Sequence, residues 1–272
     1  MSERLKRLTS RVARGDKNAQ RVFDQYEDGV IGVTTAFNAV FNNTPILLNA
    51  DCNEYLNSLK DESVDLVLTD PPYDISKDTG FQSCVNGNKK FSVSMDFGEW
   101  DHGVIDLGQT IKGLYRVLKK GGTAIIWYDL WKITDLRKLM EDSGFKQIRL
   151  IEWLKTNPVP INSKVNYLTN SREVAILGVK GSKPTFNSSF DRGIYEYPIY
   201  RAVDRIHPTQ KPILLMEALI KKHSNEGDVV LDVFLGSGTT TIACLNTNRK
   251  SIGCELDSEM FEKMIERVKT YE

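Results

Sequence analysis

The tetrad Asp70-Pro71-Pro72-Tyr73, at the end of an apolar run, combines an acid, two prolines and an aromatic ring. The prolines lack a backbone N–H and have a fixed φ, so they leave carbonyl oxygens free to accept and hold the turn rigid. A carboxylate and a carbonyl can accept the two hydrogen bonds of a planar exocyclic amine, while Tyr73 stacks on its heterocycle. The tetrad therefore predicts a site for an amino-substituted aromatic ring rather than an ordinary Asp-Pro turn.

A second candidate site follows the apolar run Val229–Phe234, where Gly236 and Gly238 precede a helical stretch. Glycines at a strand-to-helix turn let a ligand approach the backbone and the positive end of the helix, although a plain tight turn is the alternative. A dinucleotide fingerprint would have a third glycine where Thr241 stands, which disfavours a nicotinamide or flavin pyrophosphate. Glu255, 17 residues after Gly238, lies near the spacing at which an acid binds ribose hydroxyls; a solvated acid is the alternative.

Two polar segments precede predicted helices. Asp51 stands before Cys52–Leu59, where an N-cap is the favoured role and contact with a ligand's adenine amino group is the alternative. The segment His207–Pro212 stands before another helical stretch, and Pro212 suits a first helical turn. We assign no catalytic role to His207. A helix start does not account for the three polar side chains that remain, which are Thr209, Gln210 and Lys211.

From residue 45 onward, apolar runs alternate with helical stretches, which predicts an α/β fold with a mixed, mostly parallel, seven-stranded sheet and helices on both faces. The predicted strands are Pro45–Asn49, Val64–Thr69, Thr123–Tyr128, Ile148–Leu154, Glu173–Val179, Val229–Phe234 and Ser251–Glu255. The predicted helices are Cys52–Leu59, Leu107–Leu118, Lys132–Ser143, Pro212–His223, Thr239–Asn246 and Ser258–Thr270. Parallel strands end at one edge of the sheet, where such folds bind their ligands.

Four segments depart from this alternation. Residues 1–44 form a polar, partly helical extension, and the stretches 74–106, 155–172 and 181–206 read as long loops. Long loops in a compact domain usually carry function. The 36 basic residues balance the 36 acidic ones, but the basic ones accumulate in 1–22 and 155–211, which predicts a local cationic surface.

Composition excludes several classes of protein. With 40% hydrophobic and 26% charged residues the chain is globular rather than disordered. The four cysteines form no C-x-x-C pair and have no histidines at ligand spacing, so neither a zinc site nor a disulfide framework is predicted. No apolar run of about 18 residues and no signal-peptide pattern occurs, so we expect a cytoplasmic protein that binds no membrane and no metal.

The motifs together resemble those of S-adenosylmethionine-dependent DNA amino-methyltransferases of bacterial restriction-modification systems and phages. Asp70–Tyr73 resembles the catalytic motif, Phe234–Gly238 the cofactor motif and His207–Pro212 a cofactor-flanking motif. The catalytic motif precedes the cofactor motif, as in the permuted beta class of that family. Asp96–Asp101 and Trp153–Asn157 are similar to one subgroup of adenine methyltransferases.

This resemblance, which covers residues 45–272, implies a Rossmann-like class I methyltransferase fold with circularly permuted motif order, and S-adenosylmethionine as cofactor. It implies that Glu255 binds the ribose hydroxyls, Asp51 the adenine and residues 209–211 the methionine end. The full set of implied cofactor contacts is Asp51, Asp70, Thr209, Gln210, Lys211, Asp232, Phe234, Gly236, Ser237, Gly238, Thr239 and Glu255.

The reaction implied by the resemblance is methyl transfer to the N6 amino group of an adenine flipped out of double-stranded DNA. Asp70 and the Pro71 carbonyl would accept hydrogen bonds from the amine, Pro72 would fix the turn, and Tyr73 would stack on the base. N4-cytosine is the first alternative, although enzymes of that kind more often begin the tetrad with Ser. An RNA or protein methyltransferase, a nicotinamide oxidoreductase and a catalytically silent or partner-dependent DNA-binding subunit are more remote.

The implied partner is double-stranded DNA, and the resemblance leaves open a homodimer and a cognate restriction endonuclease. For residues 1–44, a basic arm on DNA and a dimer contact are equally consistent with the pattern. The candidate DNA contacts in the cationic loops are Lys164, Arg172, Arg192, Arg201 and Arg205.

Overall fold

The computed structural model describes residues 2–32, 35–36, 44–72, 81–85, 88–93, 105–159 and 168–271. Tyr73, Lys164 and the segment Asp96–Asp101 lie outside these residues, so the expectations for them stay predictions.

The described chain forms ten strands and eight helices. The strands are β1 (Ile46–Asn49), β2 (Val64–Thr69), β3 (Phe81–Val85), β4 (Asn88–Val93), β5 (Leu118–Tyr128), β6 (Lys146–Lys155), β7 (Arg172–Val179), β8 (Ile194–Tyr197), β9 (Val229–Asp232) and β10 (Lys250–Glu255). The helices are α1 (Glu3–Ala13), α2 (Lys17–Glu27), α3 (Cys52–Ser58), α4 (Leu107–Val117), α5 (Ile133–Asp142), α6 (Ile213–His223), α7 (Thr239–Asn246) and α8 (Ser258–Lys269).

Eight of the strands form one sheet in the order β1-β10-β9-β2-β5-β7-β6-β8, while β3 and β4 pair separately. Only β7 runs against its neighbours, β5 and β6; the other pairings in the sheet are parallel. The predicted mixed, mostly parallel α/β sheet is confirmed. The carboxyl ends of β1, β10, β9, β2, β5, β6 and β8 therefore meet at one edge, where β7 begins.

The number of strands needs a correction. All seven predicted strands are present, but the sheet has eight, because β8 lies inside the stretch 181–206 that we assigned to a loop. Only Tyr195 of its four residues is buried, so β8 lacks the apolar run that predicted β1 and β9, which are equally short. It forms by parallel pairing with β6. The stretch 74–106 likewise contains the antiparallel pair β3 and β4.

The sheet is buried on both faces. In β2, Val67 packs in the apolar cluster on one face, whereas Leu66 and Leu68 pack in the cluster on the other. Helices α3, α4 and α5 contribute to the first cluster, and α6 and α7 to the second. Burial on both faces explains why the β2 sequence is a nearly continuous apolar run.

The N-terminal residues contribute to the same core. Leu8 of α1 and Val22 of α2 are fully buried in the cluster that also contains Ile46 of β1. Asp16 caps α2 by accepting hydrogen bonds from the amides of Asn18 and Ala19. Among the described helices, none is long and apolar enough to cross a membrane.

Candidate functional site

A cavity of about 270 Å³ opens at the carboxyl edge of the sheet, beside the adjacent strands β1, β10, β9 and β2. Ligands of open α/β sheets bind at this edge. The polar residues that line it are Asp51, Asp70, His207, Thr209, Gln210, Lys211, Asp232, Ser237, Thr239, Thr240, Glu255 and Asp257. Pro71, Pro72, Phe234 and Gly236 also line it. The structure thus gathers nearly all the described residues that we predicted for catalysis and cofactor binding.

The turn after β9 is tied to the end of β10. Gly236 has a φ of +48°, and its amide donates a 2.8 Å hydrogen bond to Oε2 of Glu255. The amide of Asp257 donates to Oε1 of the same carboxylate at 3.0 Å. Burial raises the pKa of Glu255 above its usual range, and these amides oppose the rise. Glu255 is therefore a fixed, partly buried acceptor in the cavity wall, rather than a freely solvated acid.

Gly238 does not line the cavity, which differs from its predicted place among the cofactor contacts. It precedes α7 with a φ of +74°, in the left-handed region. A Cβ atom there would lie 2.7 Å from Cγ of Met264 in α8. In this structure, close packing between the turn and α8 accounts for the glycine.

Asp51 caps a helix, as we predicted, and also lies at the cavity wall, while its contact with an adenine amine stays a prediction. Its Oδ1 accepts hydrogen bonds from the amides of Asn53 at 2.8 Å and Glu54 at 3.1 Å, so the residue caps α3. It also lines the cavity. The N-cap therefore fixes the carboxylate beside the cavity instead of competing with a ligand for it.

Asp232 connects the two sides of the cavity. Its Oδ1 accepts hydrogen bonds from Oγ1 of Thr69 in β2 at 2.7 Å and from the amide of Phe234 at 3.1 Å. Burial raises the pKa of Asp232 to about 7. The side chain thus joins the tetrad-bearing strand to the glycine turn.

Asp70 follows β2 directly and uses its two oxygens differently. Oδ2 accepts a hydrogen bond from Nζ of Lys211. Oδ1 is buried and has no hydrogen-bond partner among the described residues. Burial raises the pKa of Asp70, and the ammonium of Lys211 opposes the rise. A buried acceptor without a partner costs free energy, which a ligand that donates a hydrogen bond would recover.

Lys211, which we predicted at the methionine end of the cofactor, is engaged by carboxylates in this structure. Besides Asp70, its Nζ lies 3.0 Å from Oε2 of Glu173, and 5.4 Å from the centroid of the Trp127 ring. Oε1 of Glu173 lies 2.7 Å from Nζ of Lys155. Sequence reasoning missed Glu173 and Lys155. Each is a charge at the end of an apolar strand, and Lys155 also lies within the segment Trp153–Asn157, but their pairing depends on sheet order.

The segment before α6 turns polar groups into the cavity. Oγ1 of Thr209 lies 2.9 Å from Nδ1 of His207, and Gln210 accepts a 3.2 Å hydrogen bond from the amide of Ile206. Nε2 of Gln210 is buried and finds no acceptor in the described part of the chain. Burial, followed by the charges of Lys211 and Arg205, lowers the pKa of His207. Sequence reasoning also missed the apolar wall formed by Ile105, Leu256 and Met260.

The candidate DNA contacts divide into two groups. Arg172 begins β7, and Arg201 and Arg205 follow β8, so these three exposed residues lie at the same edge as Asp70. Arg192 precedes β8 and lines a separate cavity of about 310 Å³. The structure therefore does not bring Arg192 together with the tetrad. The described ranges contain no group of three or more His, Cys, Asp or Glu side chains that could hold a metal ion.

Comparisons with known proteins agree with this geometry. The model of the N6_N4_Mtase family, described as DNA methylase, matches residues 64–267. The Type II methyltransferase M2.DpnII of Streptococcus pneumoniae is 30% identical over 239 residues, which cover 80% of this chain and 87% of that protein. M.HpaI of Haemophilus parainfluenzae is 31% identical over 247 residues, covering 82% of this chain and 73% of that one. The crystal structure of the M1.HpyAVI–SAM complex aligns with a TM-score of 0.62 and 28% identity, covering 82% of this chain and 100% of that one.

Proposed function

Because this chain belongs to the DNA methylase family and is an S-adenosylmethionine-dependent DNA methyltransferase, we propose that its acceptor is the N6 amino group of adenine. The observation that carries this proposal is Oδ1 of Asp70, a buried acceptor without a partner among the described residues, in the same cavity as the glycine turn. An amine nitrogen that donates to it would satisfy that oxygen. The Asp at the first position of the tetrad favours adenine over cytosine.

The cavity fits S-adenosylmethionine in its donor and acceptor set. Glu255 is held in place to accept hydrogen bonds from ribose hydroxyls, and Asp51 to accept them from the adenine amine. The buried Nε2 of Gln210, for which the described residues supply no acceptor, is a donor suited to a carboxylate such as that of the methionine end. When bound, the cofactor supplies an electrophilic methyl group on a sulfonium.

The residues of this chain would then prepare the acceptor. The lone pair of an adenine amine is delocalised into the ring, so the nitrogen is a poor nucleophile. Two aligned acceptors, Oδ1 of Asp70 and the carbonyl of Pro71, draw the nitrogen toward a tetrahedral geometry that localises the lone pair. Oδ1 of Asp70 can also receive the proton that the nitrogen releases. Tyr73 would stack on the flipped base and so offset part of the cost of unstacking it.

The proposal extends to partners and place. Arg172, Arg201 and Arg205 would contact DNA phosphates, since they share the edge of Asp70. Relatives named Type II methyltransferases support a cognate restriction endonuclease, in the cytoplasm of a bacterium or a phage-infected cell. The proposal includes a homodimer in which residues 1–44 take part. Sedimentation at several protein concentrations tests it.

The deciding experiment is transfer of labelled methyl groups from S-adenosylmethionine to unmodified mixed-sequence DNA, followed by digestion to nucleosides. We expect label in N6-methyladenosine. Asp70→Asn, which cannot take up the proton, should slow transfer at saturating cofactor by about 10²–10⁴-fold. Asp142→Asn, at an exposed position of α5, is the matched control.

Other outcomes would change the proposal in defined ways. Label in N4-methylcytidine would retain the acceptor geometry and overturn the choice of base. Absence of label on DNA, with cofactor binding intact by calorimetry, would contradict an enzyme that acts on DNA without a partner.

A further inference from the structure

Four buried or half-buried charged side chains form a continuous array at the carboxyl edge of the sheet. Asp70 pairs with Lys211, Lys211 lies 3.0 Å from Glu173, and Glu173 lies 2.7 Å from Lys155. The carboxylates and lysines come from β2, β7, β6 and the segment before α6, and Trp127 of β5 lies beside Lys211. The array thus extends from the tetrad across neighbouring strands.

This array contains more charged side chains than are needed to neutralise the carboxylate of Asp70. The side chains of Asp70, Lys211, Glu173 and Lys155 are 26%, 5%, 22% and 12% exposed, so all four are largely withdrawn from water. Withdrawing an ion costs several kcal/mol, and apolar replacements of buried ion pairs are often neutral or stabilising. Lys211 by itself could neutralise Asp70. The addition of Glu173 and Lys155 therefore points to a role other than stability.

We propose that Glu173 is a positioning residue for methyl transfer, which acts on Asp70 through Lys211. By sharing the lysine's ammonium, Glu173 holds it on Oδ2 of Asp70 and moderates its pull on that carboxylate. Oδ1 then remains the oxygen that accepts from the amine of the base. This inference rests on the proposed function, because it assigns a task to the carboxylate that receives the proton.

The charges around Asp70 have opposing effects on its basicity. Burial raises the pKa of Asp70, Lys211 lowers it, and Glu173 raises it again. Burial would also raise the pKa of Glu173, but Lys211 and Lys155 outweigh burial and lower it. Among the described residues, the other titratable neighbours are Asp232, which Asp70 affects in turn, and His207 beside Lys211. Lys211 alone would make Asp70 a weaker base, and Glu173 restores part of that basicity.

The test measures the titration of Asp70 directly, in the protein without cofactor or DNA. Aspartate labelled with ¹³C at the carboxyl carbon gives one resonance per side chain, and Asp70→Asn identifies the signal of Asp70. Glu173→Gln keeps an acceptor for Lys211 but removes the negative charge, so the pKa of Asp70 should fall by about one pH unit. Lys211→Met removes the positive charge, so the same pKa should rise by a similar amount.

Shifts of the Asp70 pKa in opposite directions in these two variants indicate an electrostatic role. General loosening of the site would shift that pKa in the same direction in both variants. Glu196→Gln, an exposed carboxylate on β8, is the matched control and should leave the titration unchanged. If Glu173→Gln does not fold, Lys155→Met tests the array from its far end. That variant leaves Glu173 without its second cation, and the pKa of Asp70 should rise by less than in Lys211→Met.

Single-turnover methyl transfer then connects the titration to the reaction. In Glu173→Gln the acidic limb of the pH–rate profile should move to lower pH together with the pKa of Asp70. The plateau rate should fall, because the acceptor is a weaker base, while KM for DNA stays the same. An unchanged Asp70 titration, or a titration that moves without the acidic limb, would overturn the inference. The expected titrations without transfer to any DNA would contradict the proposed function while leaving the electrostatic array standing.

Discussion

The two halves of the cavity are built in different ways. On the cofactor side, the turn after β9 is held by neutral backbone amides that donate to one carboxylate, Glu255, within 20 residues of the turn. On the acceptor side, Asp70 is held by Lys211, which is 141 residues away in the sequence, and through it by Glu173 and Lys155. On the cofactor side, backbone amides close in the sequence to Glu255 thus hold its carboxylate. On the acceptor side, ion pairs between segments distant in the sequence hold Asp70.

This difference fits the chemistry of each half. Ribose hydroxyls and the adenine amine are neutral groups, for which fixed acceptors and dipoles suffice. In the proposed reaction the target amine loses a proton to Asp70, which therefore has to be both charged and basic in a buried place. Such a balance needs several charges at set distances.

Asp232 lies on the boundary between the halves and gives the largest expected effect. Its pKa is raised from 3.8 to about 7, so from pH 5 to pH 8 the native protein loses a proton that the unfolded chain has already lost. The free energy of unfolding should therefore fall across this range by about 3 kcal/mol in the wild type relative to Asp232→Asn.

Urea unfolding of both proteins at pH 5 and pH 8 measures this difference. Asn at position 232 keeps an oxygen for Thr69 and Phe234, so the boundary contacts should persist. Equal pH dependence in the two proteins would show that Asp232 is already ionised in the native state, and that the boundary is not a site of raised pKa.

Glu255→Gln tests whether the cofactor half is independent of the acceptor half. The amide has one acceptor oxygen where the carboxylate has two, so it cannot serve both backbone donors and the ribose hydroxyls. We expect the Kd for S-adenosylmethionine to rise roughly tenfold to a hundredfold by calorimetry. Glu259→Gln, an exposed position on α8, provides the control.

In the same Glu255→Gln protein, Asp70 should titrate as it does in the wild type. The acidic limb of the pH–rate profile, measured at saturating cofactor, should also be unchanged. A displaced Asp70 titration would mean that the two halves are electrostatically coupled and not independent.

The pair Gly238→Ala and Gly236→Ala gives the smallest expected effect and separates packing from ligand contact. At position 238 a Cβ would lie 2.7 Å from Met264, so we expect a loss of about 1–2 kcal/mol in stability. At position 236 the nearest atom would be 4.0 Å away, so the cost there comes only from the left-handed φ. Thermal unfolding should therefore show the lower Tm for Gly238→Ala.

Cofactor affinity should show the reverse order, because Gly236 lines the cavity and Gly238 does not. If Gly238→Ala weakens cofactor binding more than Gly236→Ala does, the packing role assigned to Gly238 is wrong.

The amino-acid sequence by itself determined seven of the eight strands of the main sheet, the tetrad at the end of β2 and the glycine turn before α7. Each is specified locally, by the periodicity of apolar residues or by prolines and glycines that restrict the backbone to a few conformations. The β8 segment has a single buried residue and no apolar run, so it lacks that signal, and it forms a strand by parallel pairing with β6.

The tertiary structure alone decided which charges surround Asp70 and what Gly238 is for. Glu173 and Lys155 reach the site because β7 lies next to β5 and β6 lies next to β7 in the sheet, and no spacing in the sequence encodes that order. Gly238 is a glycine in a recognisable turn, but its contact is Met264 in the last helix. Interactions between distant segments depend on register and packing, which exist only once the strands have paired.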